Sequence, residues 1–306
     1  MTDTRLMHEV GVKALDWLYT HREGFRTRRG PETTDREAKE RLKPIGELAM
    51  IGKVLFREGV AGSQQAEHTR RLLDFAWQDL LDGGQALVRM QRQEPLSPIP
   101  LEMYAPFKEL GYRCPPLESA LTYTTRLRSW PPDAHIVRRL GIARLQDRVG
   151  LGPGGDFDRI LRETWLGRTP EPWSVESNIG YDITHTVYHV TDWGENPDNL
   201  PPDIADYLML WLPAWMDNWA EIGNWDLLGE LLVVDACLPT PALDEDVWRR
   251  FAQAQRPDGL VPARAGADLG EDHWETFDLH YHPTLVAAFA AVLSTSRAMA
   301  GLTSAS

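Results

Sequence analysis

Apolar residues recur along almost the whole chain at helical spacing, and no segment alternates apolar with polar residues over the length of a strand. That period confines the chain to an all-α fold. Val12, Leu15, Trp17, Leu18 and Tyr19 open the first helix, which ends near Gly24. Leu48, Ile51 and Leu55 form the second, with Pro44 in its first turn, and Leu73, Ala76, Trp77 and Leu80 the third, stopped near Gly83-Gly84. Further helices are expected over 101–110, 117–130, 134–149, 156–166, 182–192, 203–219, 225–238 and 244–255, and a last one beginning at Pro283 and ending near Met299. About a dozen helices are too many for a four-helix bundle, and no fixed repeat marks a solenoid. A ring of helical hairpins, an α/α toroid, accommodates them.

The chain has 306 residues, of which 42% are apolar, enough for one large closed domain. The Gly150–Gly155 run is the strongest breaker. It allows a subdivision into 1–150, helices completing the ring, and 151–306, helices bearing the site.

Net charge is −13, which repels nucleic acid phosphates and anionic lipid surfaces. The basic residues between His21 and Lys43 are interrupted by acids and read as a solvated face. No stretch supplies the ~18 uninterrupted apolar residues of a membrane span, and the N-terminus has no apolar signal core. Two cysteines, Cys114 and Cys237, exclude a disulfide framework and a cysteine-rich zinc site. The expected setting is the cytoplasm, with a small molecule as partner and assembly into a homo-oligomer left open.

Chemistry concentrates between Asp182 and Asp192. On a helix, Asp182, His185, His189 and Asp192 fall within an arc of roughly 80°. Two imidazoles and two carboxylates on one stripe suit a divalent metal ion, zinc or iron first, with one of the acids free to orient a histidine from behind. The alternative is a polar network between helices, with Gly194 as a left-handed cap. A second cluster, His273-Trp-Glu275-Thr-Phe-Asp278-Leu-His280-Tyr-His282-Pro283, lies just before the expected last helix. His280 or His282 is expected to complete the metal site or serve as acid/base, with Asp278 and Glu275 as further candidates. The bland reading is a capping loop whose histidines bond backbone carbonyls. Asp235 is a carboxylate inside an apolar run, a candidate for a raised pKa.

Tyr181, Tyr188, Trp193 and Trp215 are the candidate substrate-contacting aromatics. Trp211, Trp215 and Trp219 share one helix stripe, a pattern that is commonly core. There is no G-x-S-x-G, phosphate-binding G-x-x-x-x-G-K, H-E-x-x-H or dinucleotide motif.

The segment Gln253-Ala-Gln255-Arg-Pro-Asp258-Gly259-Leu-Val-Pro262 resembles the loop between helix pairs in α/α-toroid proteins, which include terpenoid cyclases and protein prenyltransferases. That likeness implies the ring fold. The aspartate-rich acid motif of the cyclases is absent, so their chemistry is not implied. The D-x-T-H-x-x-x-H-x-T-D pattern at 182–192 resembles that of actinobacterial helical proteins and implies no activity.

Taken together, the residues favour a metal-dependent enzyme acting on a small organic molecule by hydrolytic or lyase/isomerase chemistry. A non-haem iron or copper oxidoreductase, a non-catalytic helical scaffold and a metal-free acid/base cyclase or glycan-active toroid stand beside it.

Overall fold

A computed structural model describes residues 4–26, 42–127, 135–150 and 156–304. It is all-helical, with no strand among the described residues. Most of the basic run, the end of the expected 117–130 helix and residues 151–155 lie outside them.

The helices are α1 (Thr4–Thr20), α2 (Lys43–Glu58), α3 (Gln64–Phe75), α4 (Gln85–Gln93), α5 (Ile99–Glu109), α6 (Pro115–Thr124) and α7 (Ile136–Val149). They continue with α8 (Phe157–Glu163), α9 (Ser177–Thr191), α10 (Pro202–Ile222), α11 (Trp225–Ala236), α12 (Glu245–Ala254) and α13 (His273–Ser304). The chain divides into two compact units: residues 1–24, 54–69 and 165–306 form the first, and residues 25–53 and 70–164 the second.

In the second unit, α4 packs against α5 and α6, and α7 against α5 and α8. Trp77, Tyr104, Phe107 and Tyr112 form an aromatic cluster, with Trp77 and Phe107 centroids 5.1 Å apart. After Phe75 the chain makes one wide π turn over Ala76–Leu80, then three left-handed residues, Asp82, Gly83 and Gly84. Gly84 is required twice over. Its φ is +89°, and a Cβ there would come within 2.9 Å of Trp77 and Cys114. A part-buried cluster of charges ties the helices: Glu109 Oε2 accepts from the buried Lys53 Nζ at 2.9 Å and from Arg148 Nε at 3.0 Å.

The first unit is built around α11, which contacts α9, α10, α12 and α13. Residues Leu227 to Ala236 are all buried, as expected of a helix that is apolar on nearly every side. Against that background its two buried acids, Glu230 and Asp235, stand out. Helix α13 runs along both α1 and α11. By length and mean hydropathy (1.6) it is apolar enough to cross a membrane, yet half of that stretch is buried inside the protein.

The last helix begins ten residues earlier than Pro283 predicts. Asp272 caps it, its carboxylate accepting from Trp274 N at 2.8 Å and Glu275 N at 2.9 Å, while Glu275 Oε2 accepts from Glu271 N. The Asp272-x-x-Glu275 spacing is a start signal, and it overrides the proline. Pro283 sits inside the helix. His280 and His282 are therefore helical. Two apart, they leave opposite sides of α13 rather than one side of an extended segment.

The Gln253–Pro262 segment fastens α12 to α1. Gln255 Nε2 donates to Val10 O and to Gly259 O, both at 3.0 Å. Gly259 has φ +103°, and a Cβ there would collide with the Lys13 carbonyl.

Candidate functional site

The described residues gather acid and base groups where α9, α11 and α13 meet in the first unit. Asp226 and Glu230 lie one turn apart on α11. His282 stands between them. Its Nδ1 is 2.7 Å from Asp226 Oδ1 and its Nε2 is 3.5 Å from Glu230 Oε1. The other oxygen of Asp226 accepts from Tyr181 Oη at 2.6 Å. Asp226 thus assigns the His282 Nδ1 as N–H donor, which leaves Nε2 directed at Glu230.

Glu230 is the deepest member, its side chain 2% exposed. Thr184 Oγ1 donates to its Oε2 in a short hydrogen bond. His185 Nδ1 lies 3.6 Å from the same oxygen and 2.9 Å from the Tyr181 carbonyl. A carbonyl only accepts, so His185 Nδ1 carries the proton and Nε2 is the free acceptor. The Tyr188 hydroxyl donates to the Glu230 carbonyl at 3.0 Å.

Burial raises the Glu230 pKa above the usual carboxylate range, against the opposing pull of His185 and His282. Burial also raises Tyr181, and the Asp226 charge adds to it, so this phenol stays a donor. Exposure falls from His185, whose side chain is 42% exposed, through His282 at 21% to Glu230 at 2%.

The sequence-predicted residues fall in several places. Of the four on the helix stripe, His185 meets Glu230. His189 approaches the Trp193 ring edge-on, with centroids 6.4 Å apart. Asp182 is half-buried on α9 and its carbonyl accepts from Thr186. Asp192 is not in helical register: it is the left-handed cap of α9 at φ +55°, and Trp193 and Gly194 follow at +57° and +76°. The left-handed run starts two residues before Gly194. Two arginines hold its carbonyls. Arg57 donates to Trp193 O at 2.7 Å, and Arg297 donates to Gly194 O and, at 3.1 Å, to Ala236 O. Among the described residues no three His, Cys, Asp or Glu side chains are placed to hold a metal ion together.

From the second cluster, His282 enters the site and His280 does not. His280, 1% exposed, uses both ring nitrogens on backbone: Nδ1 accepts from Ala263 N at 3.4 Å and Nε2 donates to Asp268 O at 2.8 Å. Asp278 is exposed on α13. Asp235 has its pKa raised by burial, but its carboxylate accepts from Ala242 N at 2.9 Å and Leu243 N at 2.8 Å, which gives it a loop to hold. Tyr181 contacts the site directly. Tyr188 packs beneath it against Trp193 and Phe289. Trp215 is buried, and its indole N–H donates to Pro172 O at 3.0 Å, away from the acids.

Asp226 and Glu230 are absent from the sequence expectations. Asp226 reads as an ordinary first-turn acid that suits the helix dipole. Glu230 carries the same signal that singles out Asp235, an acid in an apolar run, and its spacing of four from Asp226 is the clue that pairs them.

A cavity of about 300 Å³ lies elsewhere in the first unit, with mostly apolar walls that include Leu15, Leu55, Ala288 and Val292. Its one carboxylate, Glu58, is engaged by Arg57 Nε at 2.7 Å and Ser296 Oγ at 2.6 Å, so it offers no comparable proton-transfer pair.

A family model described as Domain of unknown function (DUF6895) matches residues 11–292. No curated protein and no solved structure matches the chain.

Proposed function

We propose that this chain, which belongs to the DUF6895 family, is an enzyme that moves protons on a small organic molecule, with His282 and Glu230 as its acid/base couple. The chemistry is hydrolytic or of the lyase/isomerase kind. One observation carries it: an imidazole held 2.7 Å from one carboxylate and 3.5 Å from a second, buried one whose pKa is raised. In this reading neutral His282 Nε2 takes a proton from the substrate or from water. Asp226 stabilises the imidazolium that forms. Glu230, still protonated, donates to the oxygen or nitrogen that gains charge. The donated and abstracted protons balance, and exchange through the exposed His185 side resets the pair. Cytoplasmic residence is part of the proposal, supported by two buried free thiols. So is the helical ring, in which α11, buried all round, would be an inner member.

The test starts with the titration of His282, followed by the NMR signals of its ring. Removing a negative neighbour lowers a histidine pKa, so Asp226→Asn should shift His282 downward, and Glu230→Gln should do so over the part of the titration in which Glu230 has ionised. A panel of esters, amides and C–H acids then reads activity, and His282→Ala should lose about 10²-fold or more with the fold intact. A His282 titration indifferent to both acids would sink the proposal. Chelation should leave the activity in place. Loss on chelation with recovery on adding zinc or iron would replace it by a metal-dependent reaction.

A further inference from the structure

The loop between α12 and α13 brings a cation close to Asp226 and Tyr181. Asp226 N donates to Ala263 O at 3.1 Å, and Ala265 N donates to Gly223 O at 2.7 Å. The residues on either side of Arg264 are therefore bonded to the turn that starts α11. The approach is close: Gly223 has φ +73°, and a Cβ there would meet Ala265 Cβ at 2.6 Å. His280 clamps the same loop from below at Ala263 and Asp268. Arg264 is thus held on a short, doubly bonded stretch beside Asp226, and its charge opposes the rise of the Tyr181 pKa.

Arg264 is exposed and forms no ion pair with any described carboxylate. This is unusual for the region. Arg249 pairs with Glu245 and Asp246, and Arg250 with Asp217. Three acids that follow in the chain accept from backbone N–H groups: Asp268 from Gly270, Asp272 from Trp274 and Glu275, and Glu275 from Glu271. A guanidinium fixed at its backbone beside Asp226 and Tyr181, exposed to water and without a carboxylate partner among the described residues, has the properties of a ligand anchor. Arg264 brings one positive charge and a planar fork of donors. That favours a monoanion of planar, bidentate shape over a phosphate dianion.

We infer that the substrate carries a carboxylate and that Arg264 binds it, orienting the remainder of the molecule toward His282 and Glu230. This rests on the acid/base reading above and adds the substrate class to it.

The experiment follows the His185 and His282 ring signals of the full chain during titration with acetate, butyrate and benzoate. Butyramide, benzamide and inorganic phosphate are the controls. Carboxylates should shift both rings saturably, with the amides inert and phosphate weaker. Arg264→Ala should weaken carboxylate binding about tenfold or more, the effect expected for a lost charged hydrogen bond, and Arg264→Lys should restore part of it. Because Arg264 is exposed, these variants should keep the wild-type melting temperature. Equal binding by wild type and Arg264→Ala, preference for phosphate, or no carboxylate binding at all would overturn the inference. The two readings fail separately. If His282 still responds to Glu230→Gln while carboxylates do not bind, the acid/base couple stands and only the anchor falls. If His282 ignores Glu230 while carboxylates bind through Arg264, the reverse holds.

Discussion

Glu109 in the second unit and Glu230 in the first are both glutamates set among helices, and their neighbours give them opposite characters. Glu109 receives Lys53 and Arg148, two cations that keep their charge throughout the neutral range. Lys53 is itself buried, its side chain 8% exposed. That arrangement has one protonation state and serves as a tie between helices. Glu230 is surrounded by His185, His282, Thr184 and the nearby charge of Asp226, and no arginine or lysine pairs with it among the described residues. Burial pushes its proton affinity up, and its histidine neighbours can exchange that proton. The first unit has its own permanent cations, but Arg297 is directed at the Gly194 carbonyl of the left-handed turn, and Arg57 is divided between the Trp193 carbonyl and Glu58. A buried acid is structural or chemical according to whether its partners titrate.

The largest expected effect breaks the tie. Glu109→Ala leaves Lys53 buried without its anion and should cost about 3–5 kcal/mol, read by urea denaturation. A loss under about 1 kcal/mol, the range of an exposed pair, would mean that Glu109 is no more than a surface partner. Next is Arg297→Ala. It strips the buried Gly194 and Ala236 carbonyls of their donor and should cost about 1–3 kcal/mol. Unchanged stability would show that the left-handed turn holds itself, and the contrast in how the two units use their cations would lose its point.

The smallest effect on overall stability, and the sharpest on the comparison, is that of Glu230→Gln. The unfolded chain ionises Glu230 at its ordinary value, whereas the folded protein does so higher. Between those two values the native state holds the extra proton, so this group's contribution falls as pH rises. Glutamine copies the neutral acid. The variant should therefore gain stability relative to wild type as pH rises above the ordinary glutamate range, measured by denaturation at each pH. A difference that is constant with pH would make Glu230 a second Glu109.

Much of this architecture is legible residue by residue. Pro44, Pro115 and Pro202 begin helices where proline's fixed φ suits a first turn, and Asp244 caps α12 through Asp246 N and Val247 N. Pro283 misleads because proline marks a helix start only when no stronger cap lies upstream, and Asp272 is that cap. The candidate site is half legible. Tyr181, His185 and His282 are visible as chemistry-bearing residues. Their acids are not, because Asp226 and Glu230 lie about forty residues from His185 and more than fifty from His282, and local spacing carries no information across such a distance.

The order of polar and apolar residues alone determined that the chain is helical, where most helices begin and end, and that histidines and carboxylates gather in its C-terminal half. Only tertiary packing decided which of them meet. A helix period assigns a side chain to a face, but the partner on that face comes from another helix. Of the ten-residue span from His273 to His282, one histidine thereby became a loop clamp and another the neighbour of a buried acid. The proton affinity of Glu230 is decided at the same level, since it depends on what surrounds the carboxyl in space rather than on what flanks it in the chain.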